Sequence, residues 1–291
     1  MKFAHLTSRL AVGGVATALA TAGLVGVTGS SASAAPISTT YTCATPLASF
    51  PVPVTVDIAL LPSTAPAGFP VPAGLLSFNS TVTIPDAVQT VLDGLPGGPV
   101  TGGKSTDFGT AFGDTVAPAP VAWTKPGAAV GGFWVYTGKG ANGAFVLPKA
   151  GTYSVNMPKS FTLTATNASG ATVATATCTS AAPAQLGSIT LSKQVSKVKA
   201  KAPATAHKGD VVAVKGKVTN EFQKTGGPVP TGKVIVKDGK KKVGTAKLKN
   251  GKFVVKLKGL KVGAHKLVVM YKGDGYTDKS KSKKLKVVVK A

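Results

Sequence analysis

Between residues 230 and 291 short runs in which apolar residues alternate largely with lysines are separated by glycine-containing turns. A repeat of two cannot lie along one face of a helix. It describes strands with one face in a core and the other in water. Phe253, Val255 and Leu257 fall in one phase, and Lys252, Lys256 and Lys258 in the other. Leu285, Val287 and Val289 alternate in the same way with Lys284, Lys286 and Lys290, as Leu267, Val269 and Tyr271 do with Lys266 and Lys272. Asp238-Gly239 and Asn250-Gly251 separate such runs, and both dipeptides accept the positive φ that a tight hairpin requires.

The pattern predicts seven strands, over residues 194–200, 210–219, 233–237, 241–248, 252–258, 265–272 and 284–290. About 100 residues with seven short strands at this spacing point to an immunoglobulin-like sandwich. The lysines in the outward phase, with Lys233 and Lys237 on the third strand, form a candidate polyanion-binding set: Lys233, Lys237, Lys252, Lys256, Lys258, Lys266, Lys284, Lys286 and Lys290.

Charge separates this region from the rest. The chain has 291 residues and a formal net charge of +24. Residues 36–186 hold five lysines balanced by five aspartates, whereas residues 187–291 hold 27 lysines and five acids. Solubility requires far less. Such asymmetry argues for two domains with different surfaces and directs the second toward polyanions: wall polymers or acidic polysaccharides, nucleic acid or an anionic membrane.

Residues 1–34 read as a secretory signal, with Lys2 and Arg9 before an apolar stretch and Ala32-Ser33-Ala34 as a cleavage site after Ala34. A retained anchor is the alternative, and no later stretch is long and apolar enough to span a bilayer. The chain is therefore expected outside the cell, secreted or associated with the wall. Leu61-Pro62-Ser63-Thr64-Ala65 resembles a sortase signal, but it is internal and lacks the hydrophobic segment and basic tail, so it reads as a loop.

Residues 36–180 are rich in Val, Thr, Pro and Gly and predict a first β-sandwich domain. Strands are expected over 52–60, 74–84, 133–136, 143–147, 152–157, 160–166 and 172–178. One helix is expected over 85–93, with Pro85 in its first turn and Val88, Val91, Leu92 and Leu95 at a 3–4 spacing. Cys43 and Cys178 are the only cysteines and bracket this domain. In an exported chain the simplest reading is a disulfide joining a first strand to a last one. Residues 181–193, small and Pro-containing, read as a linker to the second domain at 194–291.

The second domain resembles the bacterial Ig-like repeat of the third group. The resemblance rests on Pro230-Thr231-Gly232-Lys233-Val234, on Asp238-Gly239, and on Gly263-Ala264-His265-Lys266-Leu267 leading to Tyr271-Lys272-Gly273-Asp274-Gly275-Tyr276. It implies an extracellular or surface module, of the sort found in stalks and adhesins, with no catalytic residues to transfer. Here lysine stands where the family favours Thr and Ser. The first domain resembles a domain of unknown function in secreted actinobacterial proteins, through Tyr41-Thr42-Cys43, Gly151-Thr152-Tyr153 and Ala176-Thr177-Cys178. That resemblance implies export and a β-rich fold.

Catalytic motifs fare poorly. Residues 98–105 (GPVTGGKS) fit a phosphate-loop pattern, but neither the preceding strand nor the following helix that such a loop needs is in place. The histidines beyond residue 34 are His207 and His265, so the first domain has none with which to build a zinc site or a catalytic triad, and His265 reads as structural. No enzyme activity, cofactor or metal is expected. Arginine is absent after Arg9, and the second domain has few aromatics. Nucleic acid would therefore be held only non-specifically through phosphates, without base reading or stacking. The reading is a non-enzymatic surface protein with adhesive character that binds anionic envelope polymers through its lysine-rich domain.

Overall fold

The computed structural model describes residues 36–46, 48–58 and 61–291. The expected signal at 1–34 lies outside the described residues. The described residues are all-β with one short α-helix; the second domain is the expected two-sheet β-sandwich, and the first combines a sheet closed on itself with a second sheet.

In the first domain one sheet closes on itself. Strands Ile37–Ala44, Thr172–Thr179, Ser160–Thr166, Gly102–Ser105, Val121–Thr124, Phe133–Ala141, Ser77–Pro85 and Ser49–Ile58 pair in that order, and the last returns to the first. Every pairing is antiparallel, and closure leaves no open edge. Tyr41, Val52, Val54, Phe108, Trp123 and Phe161 fill the interior, with Tyr41 and Phe161 meeting edge to face at 4.9 Å. The Tyr41 hydroxyl donates to the Pro158 carbonyl at 2.8 Å, which satisfies a phenol that burial otherwise penalises. Cys43 and Cys178 are register partners on neighbouring strands, with Cα atoms 3.9 Å apart, and form the expected disulfide.

The helix spans Asp86–Asp93, with Pro85 as its extended N-cap. Its inner face is only partly the expected one: Val88 and Leu92 pack against the core as expected, but Val91 does not. Val91 is 61% exposed and Gln89 is 1% exposed. Gln89 is held because Tyr136 donates to its Oε1 at 2.7 Å while its own Nε2 donates to Asp93 at 2.7 Å, so a buried polar pair joins the apolar contact of Val88 and Leu92.

A second sheet of the first domain runs Thr64–Pro66, Gln185–Ser192, Gly151–Asn156, Gly109–Phe112 and Thr115–Pro118. It corrects two expectations. The stretch read as a linker, 181–193, forms strand Gln185–Ser192, antiparallel to Gly151–Asn156 and parallel to Thr64–Pro66. The sortase-like residues are not a free loop either: Thr64 and Ala65 pair with Thr190 and Leu191. Ile189 and Leu191 are buried beside Ala67, Phe112 and Val155, and burial of that apolar face holds the segment in the sheet.

The second domain packs a three-stranded sheet of Ser196–Lys201, Val212–Asn220 and Lys252–Leu257 against a larger sheet. The larger sheet runs Thr205–His207, Leu285–Lys290, Gly263–Tyr271, Lys233–Asp238 and Lys241–Lys247, with Ser280–Lys281 added beside Gly263–Tyr271. All seven expected strands are present, within one or two residues of the expected bounds. Val214, Val255 and Leu257 from one sheet meet Val236, Leu267, Val269 and Val287 from the other. Gly216 faces this core opposite Phe253, and a Cβ there would fall 2.3 Å from the Lys199 carbonyl. Only glycine lets these strands pack so closely.

The two domains meet directly. Gln194 is 3% exposed; its backbone N–H donates to the Tyr276 carbonyl at 2.8 Å, its carbonyl accepts from Asp278 at 2.9 Å, and its side chain donates to the Ala67 carbonyl. Ala150 N–H donates to the Gly275 carbonyl at 2.9 Å, and Phe69 meets Phe222 edge to face at 5.1 Å. Tyr276 packs against the apolar cluster of the first domain's second sheet. The Asp274-Gly275-Tyr276 turn is therefore a docking element as well as a loop. Asp274 shapes it by accepting from the Tyr276 and Thr277 N–H groups and from Thr231 on the neighbouring loop.

Candidate polyanion-binding surface

The strand period sends lysines outward on both sheets of the second domain, and the two outer faces differ. On the three-stranded sheet, Lys217 stands opposite Lys199 on one side and Lys252 on the other. One step along, Lys215 stands opposite Lys201 and Val254. Lys197 and Lys256 extend the same outer phase, which alternates with the core residues. Neighbouring strands lie about 4.8 Å apart, and successive outward residues on one strand about 6.7 Å apart. No acid occupies an outward position on these three strands.

On the larger sheet, Lys266 faces Lys286 and Lys233 faces Lys247. Between them Val288, Val268, Met270 and Ile235 take outward positions, so apolar side chains interrupt the charge. The candidate residues named from sequence thus divide. Lys252 and Lys256 lie on the three-stranded sheet, with Lys258 just beyond its last strand. Lys233, Lys237, Lys266, Lys286 and Lys290 lie on the opposite sheet, with Lys284 at its margin. They do not form one surface. Lys197, Lys199, Lys201, Lys215 and Lys217 complete the denser face and were absent from that set. Their signal was present in Lys197-Val198-Lys199-Ala200-Lys201. What sequence did not supply was the pairing of Val212–Asn220 with both Ser196–Lys201 and Lys252–Leu257.

Three of the five acids of this domain hold its loops or strand ends. Asp274 organises the docking turn. Burial alone would raise its carboxyl, but hydrogen bonds from Thr231, Tyr276 and Thr277 outweigh that and hold it below the usual carboxylate range. Asp210 accepts from the His207 N–H at 2.7 Å. Asp238 pairs with His265 at 2.6 Å. Among the described residues, none of the 27 lysines within 187–291 lies in a salt bridge; the ion pairs are Lys125–Asp93 and His265–Asp238.

The first domain has a polar cluster at its helix. Lys125 pairs with Asp93 at 2.8 Å and lies 4.3 Å from the centre of the Trp134 ring, while Trp134 donates to Asp86 at 2.7 Å. Each group has its partner inside the cluster, which braces the helix against strand Phe133–Ala141. The phosphate-loop pattern is likewise structural. Gly102–Ser105 is a strand of the closed sheet, paired on both sides, with Ser105 tied to Asp107. Two cavities of about 30 Å³ each lie in this domain, lined mostly by apolar side chains such as Phe78, Phe112, Trp123 and Leu163. Among the described residues no cluster of His, Cys, Asp and Glu is placed to hold a metal ion, and no helix is long and apolar enough to cross a membrane.

Residues 198–290 match the bacterial Ig-like domain (group 3), and residues 40–187 match a family of unknown function, DUF6801. No curated protein matches the chain. A solved structure of the fibronectin(III)-like modules of Clostridium thermocellum CbhA aligns over 81% of this chain and 94% of that one. Its identity is 14% and its TM-score 0.29, too low to carry an argument. The match at 40–187 covers just over half of the 291 residues, and the chain belongs to the DUF6801 family, with a group 3 bacterial Ig-like domain docked onto its family domain.

Proposed function

We propose that this is an exported, non-enzymatic surface protein that holds anionic polymers of the cell envelope through its lysine-rich Ig-like domain. One observation carries the reading: 27 lysines are gathered within residues 187–291, and none is neutralised by an ion pair among the described residues. A domain that needed only solubility would mix its charges. Unpaired lysines keep their attraction for external anions, and counterion release then drives association. The Cys43–Cys178 disulfide suits an oxidising compartment outside the cytoplasm. Ig-like domains commonly serve structure and adhesion, and a docked first domain would be carried to the wall by its basic partner.

The test is retention of the full chain on isolated cell walls as salt rises. At about 50 mM salt the protein should sediment with the walls, and at about 1 M, where the screening length falls to roughly 3 Å, it should be released. Retention through about 1 M salt, or no wall-bound fraction at low salt, would overturn the reading.

A further inference from the structure

The three-stranded sheet carries a charge pattern that works against its own stability. Like charges directly opposite each other across strands are destabilising. Yet Lys217 has a lysine on each side, and Lys215 has Lys201 opposite it. Any of these exposed positions could carry Thr, Gln or Glu with no change to the core. A face that keeps repulsive pairs where neutral residues would fit is suited to an external counter-charge.

We propose that this face, Lys199, Lys217 and Lys252 with Lys201 and Lys215, is the binding site for a linear phosphodiester polymer without bases, lying along the strands. The inference rests on the reading of the domain as a polyanion binder and assigns the face and the ligand chemistry. Spacing supports it: charges recur at about 6.7 Å along each strand and about 4.8 Å between strands. A flexible chain with recurring phosphates can follow one lysine row while the adjacent rows flank it. Side-chain chemistry also supports it. Carboxylates reward the planar fork of arginine, whereas lysine binds phosphate as a compact point charge, and the chain has no arginine after Arg9. The three strands present no aromatic side chain outward, so bases would find nothing to stack on. The opposite sheet also sets lysine against lysine at Lys233–Lys247, Lys237–Lys242 and Lys266–Lys286, but Val268, Val288, Met270 and Ile235 break these pairs into separate groups, so it offers no continuous track.

The test compares two variants of the full chain with equal charge loss. One carries Lys199→Gln, Lys217→Gln and Lys252→Gln; the other carries Lys233→Gln, Lys266→Gln and Lys286→Gln on the opposite sheet. Binding to linear poly(glycerol phosphate) and to single-stranded oligo(dT) is measured across salt concentrations. The first variant should lose at least about tenfold in affinity for poly(glycerol phosphate) near 0.15 M salt. Its slope of log K against log salt should be shallower by about 2, at roughly 0.7 for each phosphate that a lysine no longer neutralises. The second should lose much less. An equal or larger loss in the second variant, or no loss in the first, overturns the choice of face. Tighter binding of oligo(dT) than of poly(glycerol phosphate) overturns the ligand class. If the wild-type protein binds neither polymer at about 50 mM salt, the reading of the domain as a polyanion binder falls as well.

Discussion

His265 Nδ1 lies 2.6 Å from Asp238 Oδ2, and its Nε2 lies 2.7 Å from the Lys261 carbonyl, so both ring nitrogens face acceptors. Only the imidazolium donates from both. The hydrogen bond to Asp238, followed by that to Lys261, raises the histidine above its ordinary value. A pKa raised by folding means that the folded state holds the proton more tightly than the unfolded chain. The resulting stabilisation is complete below the unfolded value of about 6.5 and is lost as pH rises through the folded value. The melting temperature of the wild-type protein should therefore fall, relative to His265→Gln, as pH rises above about 6.5. Curves that run parallel for the two proteins would mean that the pair contributes nothing.

Cys43 and Cys178 are held as neighbours by their strands even without the bond, since Thr42 pairs with Thr179 and Ala44 with Thr177. The disulfide closes a loop of 135 residues, so its main effect is expected on the unfolded chain. The double variant Cys43→Ala, Cys178→Ala should keep the native fold by circular dichroism while losing about 2–5 kcal/mol in denaturant titration. Loss of the native spectrum at low denaturant would mean instead that the bond holds the closed sheet in register.

Legibility followed the range of the interactions. The alternation of Phe253, Val255 and Leu257 with lysines is a local signal, and those residues are buried as it demands. The helix, the seven strands of the Ig-like domain and the disulfide were readable for the same reason: each has its marker in adjacent residues or in a single pair. Strand Gln185–Ser192 was not readable, because its polar Gln185 and Ser188 resemble linker and its parallel partner Thr64–Pro66 lies far upstream. Gln89 escaped notice because its burial depends on Tyr136, which arrives from another strand. The dense lysine face was half legible. Each strand announced its own outward lysines, but the order of strands decides which lysines share a face, and that order is set by long-range pairing.

Gln194 joins the two domains from a buried position, with its side chain on the Ala67 carbonyl and its backbone on Tyr276 and Asp278. Gln194→Ala leaves the Ala67 carbonyl without that donor, a loss of about 1–3 kcal/mol at a buried site. The effect should appear at the junction. Protease cleavage near residues 192–195 should accelerate, and a single unfolding transition should separate into two. A uniform shift of one transition with no new cleavage would show that the domains are held chiefly by Tyr276 and the Phe69–Phe222 contact.

Lys217 offers the sharpest separation of stability from binding. It stands between Lys199 and Lys252, so Lys217→Glu turns two repulsive cross-strand pairs into attractive ones. Exposed pairs are worth only about 0.2–1 kcal/mol each, and solvent screening places these toward the lower end. A small rise in melting temperature is expected at low salt, shrinking as the ionic strength approaches 1 M and the screening length falls to about 3 Å. The same substitution places a negative charge in the middle of the proposed phosphate track, so affinity for poly(glycerol phosphate) should fall more than it does for Lys217→Gln. A variant that is more stable yet binds less is the pattern expected where a surface keeps strain for function. If Lys217→Glu gives no gain in stability at any salt, the flexible side chains have already spread apart. The face then carries no electrostatic cost, and its lysines lose their strongest claim to having been kept for a ligand.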